Sequence, residues 1–195
     1  MIDFIPPSER SRLLKTLADP AIRIVSLTVT EGGYMINPAT GKFDPNHPAL
    51  QRDATKPDDP TTAFGLILHG LKARKAKGLP PFTVMSCDNL PHNGVVTRNA
   101  VSGLARLMDA GLADWVEKNV AFPNAMVDRI TPATSDRERK IALDKFGIED
   151  NWPVFCEEFR QWVIEDQFTA GRPDFEKVGA QFVDDVTPFE YMKIR

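Results

Sequence analysis

Three short apolar runs, each followed by a polar turn, limit this chain to a small set of folds. The runs cover residues 22–29, 81–87 and 120–122, and apolar runs of this length between turn signals are typical of buried strands. Apolar residues recur at helical spacing between them, over residues 60–78 and again over 95–107. An alternation of strand, helix, strand, helix and strand predicts a parallel sheet with right-handed crossovers. We therefore predict an α/β fold with a mostly parallel sheet and flanking helices.

Polar residues gather where each predicted strand ends. They are Thr30 and Glu31 after the first run, Asp88 and Asn89 after the second, and Asn124, Asp128 and Arg129 after the third. Parallel strands place their carboxyl ends along one edge of a sheet, and open α/β sheets bind ligands outside that edge. We therefore expect these side chains to share one rim and to form a site there.

The first half of the chain contains further predicted elements. Residues 8–18 have the apolar spacing of a short amphipathic helix, and Asp59 is predicted to cap the helix that follows it. Residues 34–59 are polar and proline-rich, and we expect a long loop without assigned structure. The helix after the second strand is expected to begin near Asn93, with Gly111 near its end.

The second half carries a strong helix start. Ser135 and Glu138 form a predicted capping box for a helix that runs to about Phe146. A strand is expected at about residues 159–164, with an antiparallel direction as one option, and another short strand at 181–183.

The last predicted helix is short for its start signal. Thr187 and Glu190 form a second predicted capping box, yet the chain stops at Arg195. Isolated helices shorter than about 12 residues are marginal, so the sequence looks cut short.

Composition and charge argue against several classes of partner. The net charge of −3 and the absence of a basic stripe argue against nucleic acid. We expect no membrane association, because no run of about 18 apolar residues occurs. The first residues lack the features of a signal peptide, so we expect a cytoplasmic protein. Cys87 and Cys156 have no metal-type spacing, and we expect reduced thiols and no metal site.

Three stretches of the chain carry specific motifs: FTVMSCDNLPHNG at residues 82–94, FPNAMVDRITP at 122–132 and TPFEYMK at 187–193. Together they resemble the mannitol dehydrogenase family, which comprises long-chain, NAD-dependent polyol dehydrogenases. The resemblance extends over essentially all 195 residues. TVTEGGY and WVIED followed by GRP resemble the mannitol 2-dehydrogenase branch more than the uronate branch. The resemblance implies hydride transfer between a sugar alcohol and a ketose (D-mannitol and D-fructose), and a monomeric full-length enzyme.

The same resemblance implies roles for individual residues. Lys193 matches the lysine that acts as general base for the hydroxyl being oxidised. Asn89 matches an asparagine that holds the reacting oxygen and binds substrate, and Asp128 matches an aspartate of the substrate pocket. Glu190, one helical turn before the lysine, resembles a glutamate that gates proton exit.

The implied cofactor is NAD, with Thr30, Glu31 and Asp88 as its expected contacts on the rim. A glycine-rich turn binds the pyrophosphate in dinucleotide-binding folds, yet no two of the 12 glycines stand at G-x-G spacing. The family carries this turn at its amino terminus, and the asparagine and histidine that follow its lysine would lie beyond Arg195. We therefore expect residues 1–195 to be the later half of the NAD-binding domain, ending at the start of an α-helical substrate domain. This span alone is expected to be inactive.

Other interpretations compete with this one. Within the family, fructuronate reductase and arabinitol dehydrogenase are alternatives. Outside enzymes, the chain could be a truncated remnant without catalysis. A metal-dependent hydrolase that uses Asp88, His92 and Asp128 is the alternative from another enzyme class.

Overall fold

The computed structural model describes residues 2–37 and 39–194, so Arg195, where the last predicted helix stops, lies outside the described residues. Within these ranges the strands are β1 (Ile24–Leu27), β2 (Ile36–Asn37), β3 (Lys42–Phe43), β4 (Thr83–Ser86), β5 (Ala125–Asp128), β6 (Gln161–Glu165) and β7 (Gln181–Val183). The α-helices in the same ranges are α1 (Arg10–Ala18), α2 (Pro48–Thr55), α3 (Ala63–Ala76), α4 (Asn93–Met108), α5 (Ala110–Asn119), α6 (Asp136–Phe146) and α7 (Thr187–Ile194). In the described part of the chain, no helix is both long and apolar enough to cross a membrane.

β1 and β4 form the predicted parallel pair, connected through α3. Ile24 is in register with Thr83 and Leu27 with Ser86. All four residues of β4 are buried, whereas β1 is only partly buried. The main apolar core packs these two strands against helices α1 to α5.

The third predicted strand lies in the expected place but is not a regular strand. Ala121 accepts a hydrogen bond of 3.0 Å from the backbone N–H of Val84 in β4, so the chain does run beside β4. The N–H of Ala121 instead donates to the Thr169 hydroxyl, and Pro123 has no N–H to donate. Residues 120–122 therefore form an extended segment with a single backbone hydrogen bond to β4.

The regular strand begins three residues later, where a polar turn was predicted. β5 pairs antiparallel with β6, with Ala125 opposite Ile164 and Asp128 opposite Gln161. β7 extends this second sheet in parallel to β6. The expected strands near 159–164 and at 181–183 are thus confirmed, whereas the polar turn predicted after Phe122 is wrong over Ala125–Asp128, which form β5.

The helix predicted after β4 ends at Met108, close to the predicted end, and a second helix, α5, which was not predicted, follows it. Asp109 accepts hydrogen bonds from the backbone N–H groups of Gly111 and Leu112, at 2.7 and 3.2 Å. Such capping begins a new helix. Gly111 therefore lies close to the end of α4, as predicted, and in the first turn of α5.

The capping boxes had opposite outcomes. The box formed by Ser135 and Glu138 is present at the start of α6. At α7, the backbone N–H of Thr187 donates to Asp185 at 2.8 Å, and the Glu190 carboxylate accepts from the backbone of His92. The second predicted box is therefore wrong, because Glu190 is engaged with another part of the chain.

Residues 34–59, expected to be a loop, contain the β2–β3 hairpin and α2. α2 ends beside the start of α3, where Asp53 is 1% exposed and accepts four hydrogen bonds of 2.8 Å from Thr61 and Thr62. Thr62 in turn caps α3, and the predicted cap Asp59 instead pairs with Arg10 and Arg52. Burial by itself raises the pKa of Asp53, but the bonds from Thr62 and Thr61 outweigh it and hold the pKa below its usual value.

Replacing Asp53 by asparagine is expected to destabilise the chain by about 3 kcal/mol, because an amide N–H₂ would face hydrogen-bond donors in a buried site. Because folding lowers the pKa of Asp53, the ionised carboxylate stabilises the folded chain fully at pH values above its unfolded pKa of about 3.9. This stabilisation decreases as the pH falls below about 3.9. Urea unfolding of the chain at several pH values measures both effects. The control is Asp59→Asn, which breaks exposed ion pairs worth at most about 1 kcal/mol. Equal losses in the two variants would contradict the structural role of Asp53.

Candidate active site at the ends of β4 and β5

Asp88 joins the carboxyl ends of β1 and β4. Its carboxylate accepts hydrogen bonds of 2.9 Å from the backbone N–H groups of Val29 and Thr30. The hydroxyl of Tyr34 donates to the same carboxylate at 2.7 Å. The structure thus brings Thr30 and Asp88 together on the predicted rim, with Glu31 exposed beside them.

Tyr34 was missed by the sequence reasoning. Its side chain is completely buried, and its hydroxyl lies 2.5 Å from the hydroxyl of Ser86. Burial raises the pKa of Tyr34, and the neighbouring carboxylate of Asp88 raises it further. A lone aromatic residue directly after a Gly-Gly pair in a polar stretch was the available signal. Gly33 has a packing role, since a Cβ there would lie 2.8 Å from that of Val29.

Thr30 and His92, which follow β1 and β4, both have positive φ angles of 60° and 51°. Such angles are uncommon for residues other than glycine and are found most often where the surrounding structure holds the backbone in place. Here Asp88 accepts from the N–H of Thr30, and Glu190 accepts from that of His92. Both strained residues therefore lie on the rim.

Lys193 reaches back from α7 to the ends of β4 and β5. Its Nζ donates to Oδ1 of Asn89 at 2.8 Å and to the backbone oxygen of Val127 at 2.6 Å. The amine is partly buried, whereas Asn89 is exposed. Lys193 and Asn89, separated by 104 positions, are thus in direct contact.

Two open cavities meet at this contact. Their volumes are about 200 and 740 Å³, and Asn89, Val127 and Lys193 line both. Asp88 and Glu190 line the smaller cavity, and Asp128 lines the larger. The larger cavity is within the usual range for small-molecule sites, about 300–1,000 Å³.

Glu190 lies where α7 meets the start of α4. Its Oε1 accepts from the backbone N–H of His92 at 2.9 Å, and its Oε2 lies 3.8 Å from Nδ1 of the His92 ring. Its side chain is 15% exposed. The first turn of α4 carries a partial positive charge, which favours a carboxylate in this position.

Asn124 is not on the rim. It is 9% exposed, and its Nδ2 donates to both carboxylate oxygens of Glu165 at 3.0 and 3.1 Å. Its Oδ1 accepts from the backbone N–H of Val95 in α4. Arg129 donates to the backbone oxygen of Glu157 at the edge of the larger cavity. Asn124 therefore connects α4 to β6 and does not line either cavity. Of Asn124, Asp128 and Arg129, Asp128 contributes a carboxylate to the lining of the larger cavity.

The ligand set of the alternative metal hydrolase is committed to other contacts. Asp88 is bonded to two backbone N–H groups and to Tyr34. His92 faces Glu190, and Asp128 lines a different cavity from Asp88. Among residues 2–37 and 39–194 no group of three or more His, Cys, Asp or Glu side chains could hold a metal ion.

The β1–α3–β4 unit and its rim of polar groups define a Rossmann-type nucleotide-binding domain. Residues 2–177 match the family model described as the mannitol dehydrogenase Rossmann domain. The chain belongs to the mannitol dehydrogenase family.

Several characterised relatives are similar over nearly the whole chain. Mannitol 2-dehydrogenase of Cereibacter sphaeroides is 60% identical over 196 residues, and the match covers 100% of this chain and 41% of that protein. Polyol:NADP oxidoreductase of Gluconobacter oxydans is 50% identical, with coverage of 98% and 39%. The ternary complex of Pseudomonas fluorescens mannitol 2-dehydrogenase with NAD and D-mannitol superimposes with a TM-score of 0.85 at 57% identity, covering 94% of this chain and 37% of that one. The chain thus spans about two fifths of the length of these relatives.

Proposed function

We propose that this chain supplies the catalytic base and part of the substrate pocket of an NAD-dependent polyol dehydrogenase that interconverts a sugar alcohol and a ketose, with D-mannitol and D-fructose as the first candidates. The observation that carries the proposal is the contact of Lys193 Nζ with Asn89 Oδ1 and the Val127 oxygen, at the junction of two cavities. The names of the relatives at 60% and 57% identity support the choice of D-mannitol.

The geometry suits Lys193 to proton removal. A neutral amine has two N–H donors and one lone pair. Donation to Asn89 Oδ1 and to the oxygen of Val127 uses both N–H groups. The lone pair is then left for the hydroxyl proton of a bound alcohol, and general base catalysis requires contact of this kind.

Asn89 is suited to hold the reacting oxygen. Its Oδ1 accepts from Lys193, so its Nδ2 remains as a donor toward the cavities that both residues line. An amide N–H that meets the developing alkoxide stabilises negative charge in the transition state. The Oδ1 of Asn89 would thus orient the Lys193 amine, and the Nδ2 of the same amide would orient the substrate oxygen.

The rim fits a nucleotide through its open and accessible groups. Thr30 and Glu31 are exposed there, and among the described residues no atom outside Gly32 and its chain neighbours lies within 4 Å of the position that a Cβ of Gly32 would take. Asp88 would act indirectly, because its carboxylate already binds the backbone of Val29 and Thr30 and thereby shapes the loop. NAD, when bound, would accept the hydride from the alcohol carbon.

We expect Glu190 to receive the proton after Lys193. Both side chains line the smaller cavity, which is open to solvent. His92, whose side chain is 54% exposed, lies on the far side of Glu190. The shared cavity supports a proposed route for the proton from the amine through Glu190 to water.

The test uses a chimera in which residues 1–195 replace the matching segment of the Cereibacter sphaeroides mannitol 2-dehydrogenase, hereafter the chimeric enzyme. NADH formation is measured with D-mannitol, D-arabinitol and D-mannonate. We expect the highest kcat/KM with D-mannitol. Activity confined to D-mannonate would assign the chain to the uronate branch. A chimeric enzyme with a cooperative melting transition and no activity on any of the three would refute the proposed function.

Asp128→Ala in the chimeric enzyme should raise KM for the polyol about tenfold or more and change kcat less. A carboxylate that accepts hydrogen bonds from substrate hydroxyls contributes equally to the ground state and the transition state. Steady-state kinetics separates the two constants. Asp136→Ala, which removes an exposed carboxylate on α6, is the control. A fall in kcat with unchanged KM would exclude Asp128 from substrate binding.

A further inference from the structure

Asn93, the first residue of α4, is completely buried and joins the two strands that carry the proposed site. Its Oδ1 accepts from the backbone N–H of Ala125 at 2.8 Å, and its Nδ2 donates to the backbone oxygen of the same residue at 2.7 Å. The side-chain amide therefore pairs with both polar groups of Ala125, as a neighbouring strand would.

The other hydrogen of the Asn93 amide is directed to the end of β4. Nδ2 lies 3.1 Å from the backbone oxygen of Asp88 and 3.3 Å from that of Ser86. An amide N–H₂ has two hydrogens, so the second is shared between these two carbonyl groups. One side chain thus connects the residue immediately before Asn89 with the residue two positions before Val127.

These are the two segments that hold the amine of Lys193. Its acceptors are Oδ1 of Asn89 and the oxygen of Val127. No sheet pairing connects β4 to β5, because β4 pairs with β1 and β5 pairs with β6. The Asn93 amide therefore directly links the two chain segments that carry the acceptors of the lysine.

The surroundings of Asn93 prevent the amide from moving away. A Cβ on Gly94 would lie 2.4 Å from the backbone oxygen of Phe122 and 2.6 Å from the backbone nitrogen of Asn124, so α4 begins in direct contact with this segment. The backbone N–H of Val95 donates to Oδ1 of Asn124, and Nδ2 of Asn124 donates to the carboxylate of Glu165. Three successive residues of α4 are thus attached to the chain that leads into β5.

We propose that Asn93 is a positioning residue for the reaction, setting the separation of Asn89 and Val127 and through them the place of the Lys193 amine. The proposal rests on the proposed function of Lys193. Asn93 itself lies behind the site, and its side chain hydrogen-bonds to backbone groups only. A displacement of a base by about 1 Å can cost up to about 100-fold in rate. Asn93→Ala in the chimeric enzyme is therefore expected to lower kcat about 10- to 100-fold with little change in KM.

A double-mutant cycle separates positioning from loss of stability. If Asn93 acts through Asn89, then Asn93→Ala should lower kcat much less in an Asn89→Ala background than in the unmutated chimeric enzyme. Asn93→Ser, which keeps one hydroxyl donor, is carried through the same cycle as a second variant. Ser102→Ala is the control, since Ser102 is also buried in α4 and its hydroxyl has no hydrogen-bond partner among the described residues. Equal fractional losses in both backgrounds for any soluble variant would overturn the proposal.

A second measurement does not require activity. Reductive methylation followed by mass spectrometry reports how freely each lysine amine reacts in the 195-residue chain. Release of Lys193 from its two acceptors should raise its reactivity severalfold in the Asn93→Ala chain, while the exposed Lys118 is unchanged. Unchanged reactivity of Lys193 would also overturn the positioning role. An inactive but folded unmutated chimeric enzyme would instead refute the proposed function and leave this readout intact.

Discussion

Lys193→Ala in the chimeric enzyme is expected to lower kcat for polyol oxidation by at least about 100-fold, the lower end for a positioned acid or base. The alcohol proton would lose its acceptor, while Asn89 and Asp128 would still line the cavities. Small primary amines can enter the space left by the side chain and take the proton. Their addition should therefore restore part of the lost rate, and the rise of kcat with pH that accompanies deprotonation of the base should disappear.

The control for Lys193 is Lys118→Ala, which removes an exposed lysine from the last turn of α5. Such a change costs about 0.5 kcal/mol or less in stability and leaves the pH profile as it was. A merely structural Lys193 predicts the same result and no amine rescue. Retention of the pH-dependent rise in Lys193→Ala would exclude this residue as the base.

Asn89→Ala is expected to lower kcat about 100-fold with a small change in KM, because a donor to a developing oxyanion is worth about 3 kcal/mol. The alanine also removes the Oδ1 that accepts from Lys193 at 2.8 Å. Asn89→Asp separates the two roles, since a carboxylate keeps an acceptor for the lysine but has no N–H for the substrate oxygen. We expect kcat of Asn89→Asp to be as low as that of Asn89→Ala. Asn119→Ala is the matched control, since Asn119 is an exposed asparagine that bonds to the backbone of its own helix. A rate for Asn89→Asp near that of the unmutated chimeric enzyme would refute the donor role.

The elements that the sequence predicted well depend on contacts within a few residues. Ser135 caps α6 as predicted, and the helix ends at the predicted Phe146, where Gly147 follows in the left-handed conformation with a φ angle of 65°. Phe64, Ile67, Leu68 and Leu71 recur at helical spacing and are all buried in α3. Such signals are local, because a helix forms between residues three and four positions apart.

The errors lie where distant residues compete for the same groups. Thr187 and Glu190 have the spacing of a capping box, but the carboxylate of Glu190 binds the backbone of His92, 98 positions away. Residues 120–122 have the composition of a strand, but the backbone N–H of Ala121 donates to the hydroxyl of Thr169 and not to β4. Asn124 was expected on the rim, but its side chain is buried and binds Glu165 instead.

The sequence by itself determined the α/β class, the strands β1 and β4, and, through its resemblance to a family, the choice of Lys193, Asn89 and Asp128 as candidates. Only the tertiary structure decided that Lys193 meets Asn89 and Val127, and that Asn93 links the strands behind them. Periodicity and caps record which face of an element is apolar and where it ends. They carry no information on which backbone groups a buried amide such as that of Asn93 will find, because that depends on how α4, β4 and β5 pack.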